Sequence, residues 1–137
     1  MVNENEDLIR GAYDAYARGD LNAMLAVVDR DLEWTYLDPA FPNPEPQTSR
    51  GRDRFADGLR AQTRRGLKSQ VEEVIGNEDK VFVSVRTPGA DQFKARPTGD
   101  LNYEVLTIRD GRIVALRACR DRNQALAVLA LPSARTA

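Results

Sequence analysis

The chain has 137 residues, 42% hydrophobic and 30% charged, with a formal net charge of −1. That balance suits one globular domain over residues 1–137 and argues against a dedicated nucleic-acid or membrane-surface protein. With no histidine and one cysteine, Ser-His-Asp, Cys-His and HExxH machinery is excluded, as is a disulfide within the chain.

Acid–base work must therefore fall to Asp, Glu, Lys, Tyr or water. GxGxxG, Walker A and EF-hand patterns are absent, and the carboxylates form no spaced cluster for a metal, so neither metal nor cofactor is expected. The first residues are acidic and polar, without the apolar core of a secretory signal. No stretch approaches the roughly 18 apolar residues of a membrane span. A cytoplasmic location is the expectation.

Glu4 to Arg18 reads as a helix, with Leu8, Ile9, Ala12, Tyr13 and Tyr16 on one stripe. Gly19 stops it and Asp20 can cap a second helix through Leu21, Met24, Leu25 and Val28. Asp31 to Asp38 alternates as a strand, with Trp34, Tyr36 and Asp38 on one face. An Asp at the end of an aromatic face is a candidate base, because apolar surroundings raise a carboxylate's pKa; it is equally placed to open the turn at Pro39. Pro39 to Ser49 holds four of the seven prolines and Phe41, which suits an extended connector or a lid.

Arg50 to Lys68 reads as a third helix with Phe55 and Leu59 inward. Its seven Lys/Arg against two Asp form a basic face that, without interleaved aromatics, reads as solvated surface rather than a nucleic-acid site. Ser69 to Ile75 and Val81 to Thr87 alternate as strands around Gly76-Asn77-Glu78-Asp79. After Asp121, Asn123 to Ala130 is short, rich in Ala and Leu, and helical in character.

The strongest local signal is the hairpin Leu101 to Asp121 around Asp110-Gly111, a pair suited to a type I′ turn in which both central residues take positive φ. A two-residue turn sets a register in which Ile108/Ile113, Leu106/Ala115, Glu104/Arg117, Asn102/Cys119 and Asp100/Asp121 share one face. Tyr103, Val105 and Leu116 fall on the other. The first face is apolar near the turn and ionisable farther away, which marks it for chemistry.

Helices on one side of a strongly curved antiparallel sheet make an α+β cone, here with three helices from the N-terminal half enclosing a pocket. The polar hairpin face is assigned to that pocket. The apolar outer face would then need a cover, and a second subunit, forming a homodimer, is the natural one.

The sequence resembles the SnoaL-like branch of the nuclear transport factor 2-like superfamily, which includes ketosteroid isomerases. The resemblance rests on Leu8-Ile9-Arg10-Gly11-Ala12-Tyr13 with Gly19-Asp20, on Asp31-Leu32-Glu33-Trp34, and on Arg50-Gly51-Arg52-Asp53. Ile108-Arg109-Asp110-Gly111-Arg112-Ile113 and Arg120-Asp121 complete it. It implies a cone-shaped, usually dimeric fold that binds hydrophobic small molecules. It also places Asp38 at the isomerases' general base, Glu104 at their protonated oxyanion donor, and Asp121 at an Asp used by polyketide cyclases. An Arg117 opposite Glu104 would favour the carboxylate and disfavour steroid isomerisation.

Three functions follow. One is an acid–base cyclase or isomerase acting on a hydrophobic carbonyl compound, with Asp38 or Asp121 as base and Arg117 stabilising enolate charge. In it Trp34 and Tyr36 form an apolar wall, and Tyr16, Phe41, Asn102 and Cys119 complete the lining. A second resembles limonene-epoxide hydrolases, with Glu104, Arg117 and Asp121 around a water. The third is a non-catalytic ligand-binding or assembly protein in which Glu104–Arg117 is structural. Cys119 reads as a small buried residue rather than a reactive thiolate.

Overall fold

In the computed structural model, which describes residues 3–37, 44–89 and 99–131, the first helix α1 (Glu4–Ala17) begins where the Asn3 side chain accepts from the amides of Asn5 and Glu6. Ile9, Ala12, Tyr13 and Tyr16 on its apolar stripe are all buried. Glu6 reaches across to accept from the Gly76 amide at 2.8 Å, which ties α1 to the sheet. A Cβ at Gly76 would lie 2.5 Å from the Asn3 side chain, so a larger residue there would displace that cap.

Asp20 caps α2 (Leu21–Leu25), accepting from the Ala23 amide. This helix is a single turn, and Val28, expected within it, instead opens β1 (Val28–Tyr36). The β-branched pair Val27-Val28 favours the extended chain, and Val28 is fully buried opposite Ile113. Strand β2 (Gln47–Arg50) pairs antiparallel with β1, so the end of the proline-rich stretch joins the sheet rather than remaining a connector. Residues 47–50 contain no proline, which leaves their amides able to pair.

Helix α3 (Arg52–Arg64) follows, then β3 (Gln70–Asn77), β4 (Lys80–Arg86), β5 (Leu101–Arg109), β6 (Arg112–Cys119) and α4 (Arg122–Ala130). The strands form one curved sheet in the order β2-β1-β6-β5-β4-β3. The fold is the expected α+β arrangement, but the sheet is not wholly antiparallel, because β1 runs parallel to β6. The hairpin turn is as predicted: Asp110 and Gly111 both have positive φ, 51° and 73°.

Two layers cover the sheet. Helices α1 to α3 cover the inner face over Val81, Val83, Leu106 and Leu116. Helix α4 lies on the outer face, burying Phe82, Val105 and Cys119 against Ala125 and Leu129. Its first turn is fixed by Asp121, whose side chain accepts from the Gln124 amide at 2.8 Å, and by Arg122, which donates to both oxygens of Glu73. Of the apolar patch expected to need a second subunit, Val105 is covered by α4, Tyr103 is partly buried beside it, and Leu116 faces the inner core. Truncating the cover should show its worth: Leu129→Ala is expected to cost about 2–3 kcal/mol in urea unfolding and to accelerate labelling of Cys119 by a thiol reagent.

Candidate functional site

The geometry of the site is set by one extra residue in β6. Next to the turn, Ile108 pairs with Ile113, but beyond it Thr107 pairs with Ala115, which leaves Val114 as a bulge. The partners farther along are therefore Val105↔Arg117, Glu104↔Ala118 and Tyr103↔Cys119. Shifting a register by one residue exchanges the faces. Glu104 consequently points to the helices, while Arg117 points outward and is exposed. The expected Glu104–Arg117 pair does not form.

Cys119 moves to the outer face by the same shift. It is 2% exposed among Phe82, Val105 and Ala125, outside the pocket it was expected to line. Burial pushes its thiol up to about 11, and Arg117 only partly opposes that. Asp121 is also exposed, and its carboxylate is engaged as the cap of α4. Glu104, Arg117 and Asp121 therefore do not converge, and the constellation expected for epoxide opening is not assembled. Asp38 and Phe41 lie outside the described residues.

Glu104 meets the Tyr13 hydroxyl, which donates to its Oε1 at 2.8 Å across 91 positions of sequence. Helix α1 brings Tyr13 there because its apolar stripe must face the sheet, and a buried phenol needs a partner at its polar tip. The pair borders a cavity of about 60 Å³, with Tyr16, Gln62, Ser69 and Asn102 supplying further polar atoms and Met24, Phe55, Leu59 and Val85 the apolar walls. Tyr16 donates to Gln62 Oε1 at 2.9 Å, and the Ser69 and Thr87 hydroxyls bond each other at 2.8 Å. Asn102 lies two positions from Glu104 on the same strand, hence on the same face and about 7 Å away. Its amide has no hydrogen-bond partner among the described residues, so it can meet a ligand.

Of the sequence candidates, Glu104, Tyr16 and Asn102 line this cavity. Trp34 and Tyr36 sit beside it instead. Their rings are 5.0 Å apart, and Trp34 packs edge-on against Phe55 at 5.5 Å, which itself lines the cavity. Gly58 lets α3 approach, since a Cβ there would lie 3.1 Å from the Trp34 ring. Tyr13 was legible only as a core residue of a helical stripe. The phenolic tip was the available signal, but nothing local names its partner.

Burial first, and then the charge and hydrogen bond of Glu104, raise the Tyr13 phenol well above its ordinary value of 10.0. Tyr13 is thus a proton-bearing donor throughout the neutral range. Among the described residues no group of carboxylates and thiol is placed to hold a metal ion, and no helix is long and apolar enough to cross a membrane.

Cone, inner cavity and outer helix together define an α+β container of the nuclear transport factor 2-like kind. The SnoaL-like domain family matches residues 9–116, and the chain belongs to that family. Solved structures share its fold at low identity. IdmH from Streptomyces antibioticus, named as a candidate polyketide cyclase, is 22% identical with a TM-score of 0.67, covering 94% of this chain and 100% of its own. An NTF2-like protein of unknown function from Burkholderia pseudomallei is 20% identical with a TM-score of 0.64, covering 95% and 100%. TerC, co-crystallised with polyporic acid, is 18% identical with a TM-score of 0.61, covering 93% and 98%. No curated protein matches the chain in sequence.

Two outcomes test these placements. Asp121→Ala should cost about 1 kcal/mol in urea unfolding as a lost cap, and Asp121→Asn, which keeps the accepting oxygen, distinctly less. The raised phenol of Tyr13 gives a stabilisation that is full below pH 10.0 and falls as pH rises through the folded value, because the unfolded chain releases that proton first. An ultraviolet titration should accordingly show a late tyrosinate phase coincident with unfolding, and Tyr13→Phe should diminish that phase, leaving the part due to Tyr16, whose phenol burial also raises.

Proposed function

We propose that the protein is a SnoaL-like acid–base enzyme of the cyclase or isomerase type, acting on a hydrophobic carbonyl compound without a cofactor. One observation carries this reading: the Tyr13–Glu104 hydrogen bond of 2.8 Å beside a small cavity lined about equally by polar and apolar groups. The candidate cyclases that share the fold are consistent with it. Of the bases expected from sequence, Asp121 is engaged as the cap of α4 and Asp38 lies outside the described residues, and the base of this reading is Glu104.

In this reading the substrate's carbonyl oxygen accepts from the Asn102 amide, and its α-carbon lies against Glu104. The carboxylate takes the α-proton, the C–H pair moves into the C–C bond, and the carbonyl π pair moves onto oxygen as an enolate. Asn102 holds that charge by a hydrogen bond made stronger as it develops. Where the enolate is a conjugated dienolate Glu104 returns the proton at its γ-carbon, or else the enolate carbon adds to a second carbonyl group whose oxygen takes that proton from Glu104 to become a hydroxyl. Tyr13 fixes the orientation of the carboxyl throughout. The small volume of the cavity supports the rival reading, a non-catalytic container, and the same experiment separates the two.

Cyclopentanone is a small ring ketone whose carbonyl end can enter the cavity. In D₂O the protein should accelerate exchange of its α-hydrogens, followed by proton NMR. Glu104→Gln should lower that rate by about 10²-fold or more, and Asn102→Ala by less. Exchange no faster than buffer would support the container, while a loss in Asp121→Asn but not in Glu104→Gln would overturn the assignment of the base.

A further inference from the structure

The helical wall of the inner cavity is shared with a second space. Tyr16, which lines the cavity beside Glu104, also lines an outer cleft of about 270 Å³ with Gly19, Leu21, Arg60, Thr63 and Arg64. This cleft lies where the end of α1 and the start of α2 meet the last turns of α3. Its surface is mostly apolar. The partition is held in place by Tyr16 itself, whose hydroxyl reaches Gln62 Oε1 at 2.9 Å and the Leu59 carbonyl at 3.4 Å.

Charge at the cleft is one-sided. Arg60 and Arg64 are four residues apart on α3 and so are neighbours on one helix face. Arg60 makes a loose pair with Asp57 at 3.4 Å, with both side chains at least half exposed. Arg64 has no carboxylate partner among the described residues. Exposed arginines on a helix are ordinarily solvated, but here they border an apolar concavity, and a concave apolar surface with a few polar groups is the usual form of a ligand site.

We infer that this cleft binds small amphipathic carboxylates, with an apolar ring system against Tyr16 and Leu21 and the carboxylate at Arg60 and Arg64. The planar guanidinium fork is well matched to a carboxylate. The assignment stands on the cleft alone. The further step, that the far end of such a ligand passes Tyr16 to reach Glu104, rests on the acid–base reading above. The volumes favour that step. About 60 Å³ beside Glu104 admits only a reacting fragment, whereas that space joined to 270 Å³ of cleft reaches the lower end of small-molecule sites, roughly 300–1,000 Å³.

The test titrates 2-naphthoate and its neutral analogue 2-naphthalenemethanol into the full chain by calorimetry, with amide NMR to locate the site. Naphthoate should bind, shift the amides of Gly19, Leu21 and Thr63, and weaken with added salt. Arg60→Met/Arg64→Met should weaken naphthoate by about tenfold or more and leave naphthalenemethanol unchanged. Thr63→Trp, which fills the cleft, should weaken both. The inference is overturned if naphthoate fails to bind, if neither variant alters its affinity, or if the shifts are confined to Asn102 and Glu104. Glu104→Gln should bind naphthoate like the parent, so the cleft and the acid–base reading fail separately.

Discussion

The bulge at Val114 is the constraint on which the site depends. Without it the turn at Asp110-Gly111 would carry its register unchanged along the hairpin, placing Glu104 and Arg117 on one face. With it, Glu104 faces the helices and Arg117 faces water. The energetics favour the observed outcome. An exposed guanidinium keeps its hydration, whereas an ion pair placed in the core would lose that hydration for both partners. The same shift turns Leu116 inward to the main core and Cys119 outward beneath α4, so one extra residue serves both layers.

With Arg117 on the outer face, Glu104 on the inner face meets a phenol. Tyr13 satisfies an oxygen of Glu104 without bringing a charge into the cavity, and burial keeps that phenol protonated. Donor and carboxyl are thus held by two rigid elements, a helix and a central strand, rather than by a loop. Preorganisation of this kind makes a carboxyl useful in proton transfer, since little reorientation is needed when a substrate arrives. Asn102, on the same strand face, extends the polar line toward a ligand.

Local features were legible in the sequence and non-local ones were not. The stripe of α1, the alternation of β3 and β4, and the Asp-Gly turn each announce themselves within a few residues. The bulge does not, because Val114 is an ordinary strand residue and no glycine marks the irregularity. The reach of α2 was overread, because a helical spacing ending at Val28 says nothing of the strand partner Ile113 that claims it. Asp121 illustrates a signal present but read for chemistry: Asp followed three residues later by Gln, at Gln124, is the spacing of a helix start. The parallel β1–β6 pairing and the Tyr13–Glu104 contact join residues 80 or more positions apart, where spacing within one element carries no information.

The size of the inner cavity bears on what the fold can do. A space of about 60 Å³ beside Glu104 cannot hold the apolar bulk that gives a hydrophobic ligand its affinity, because that affinity scales with the apolar area removed from water. Binding energy must therefore come from surface outside the partition, and the polar pair inside contributes little to it. A small volume by itself fits a non-catalytic container, and what the acid–base reading adds is the hydrogen-bonded carboxyl at its end. An enzyme can use remote binding energy to hold a small reacting fragment against its base, and on the proposed reading Tyr16, which lines both spaces, stands where binding and chemistry meet.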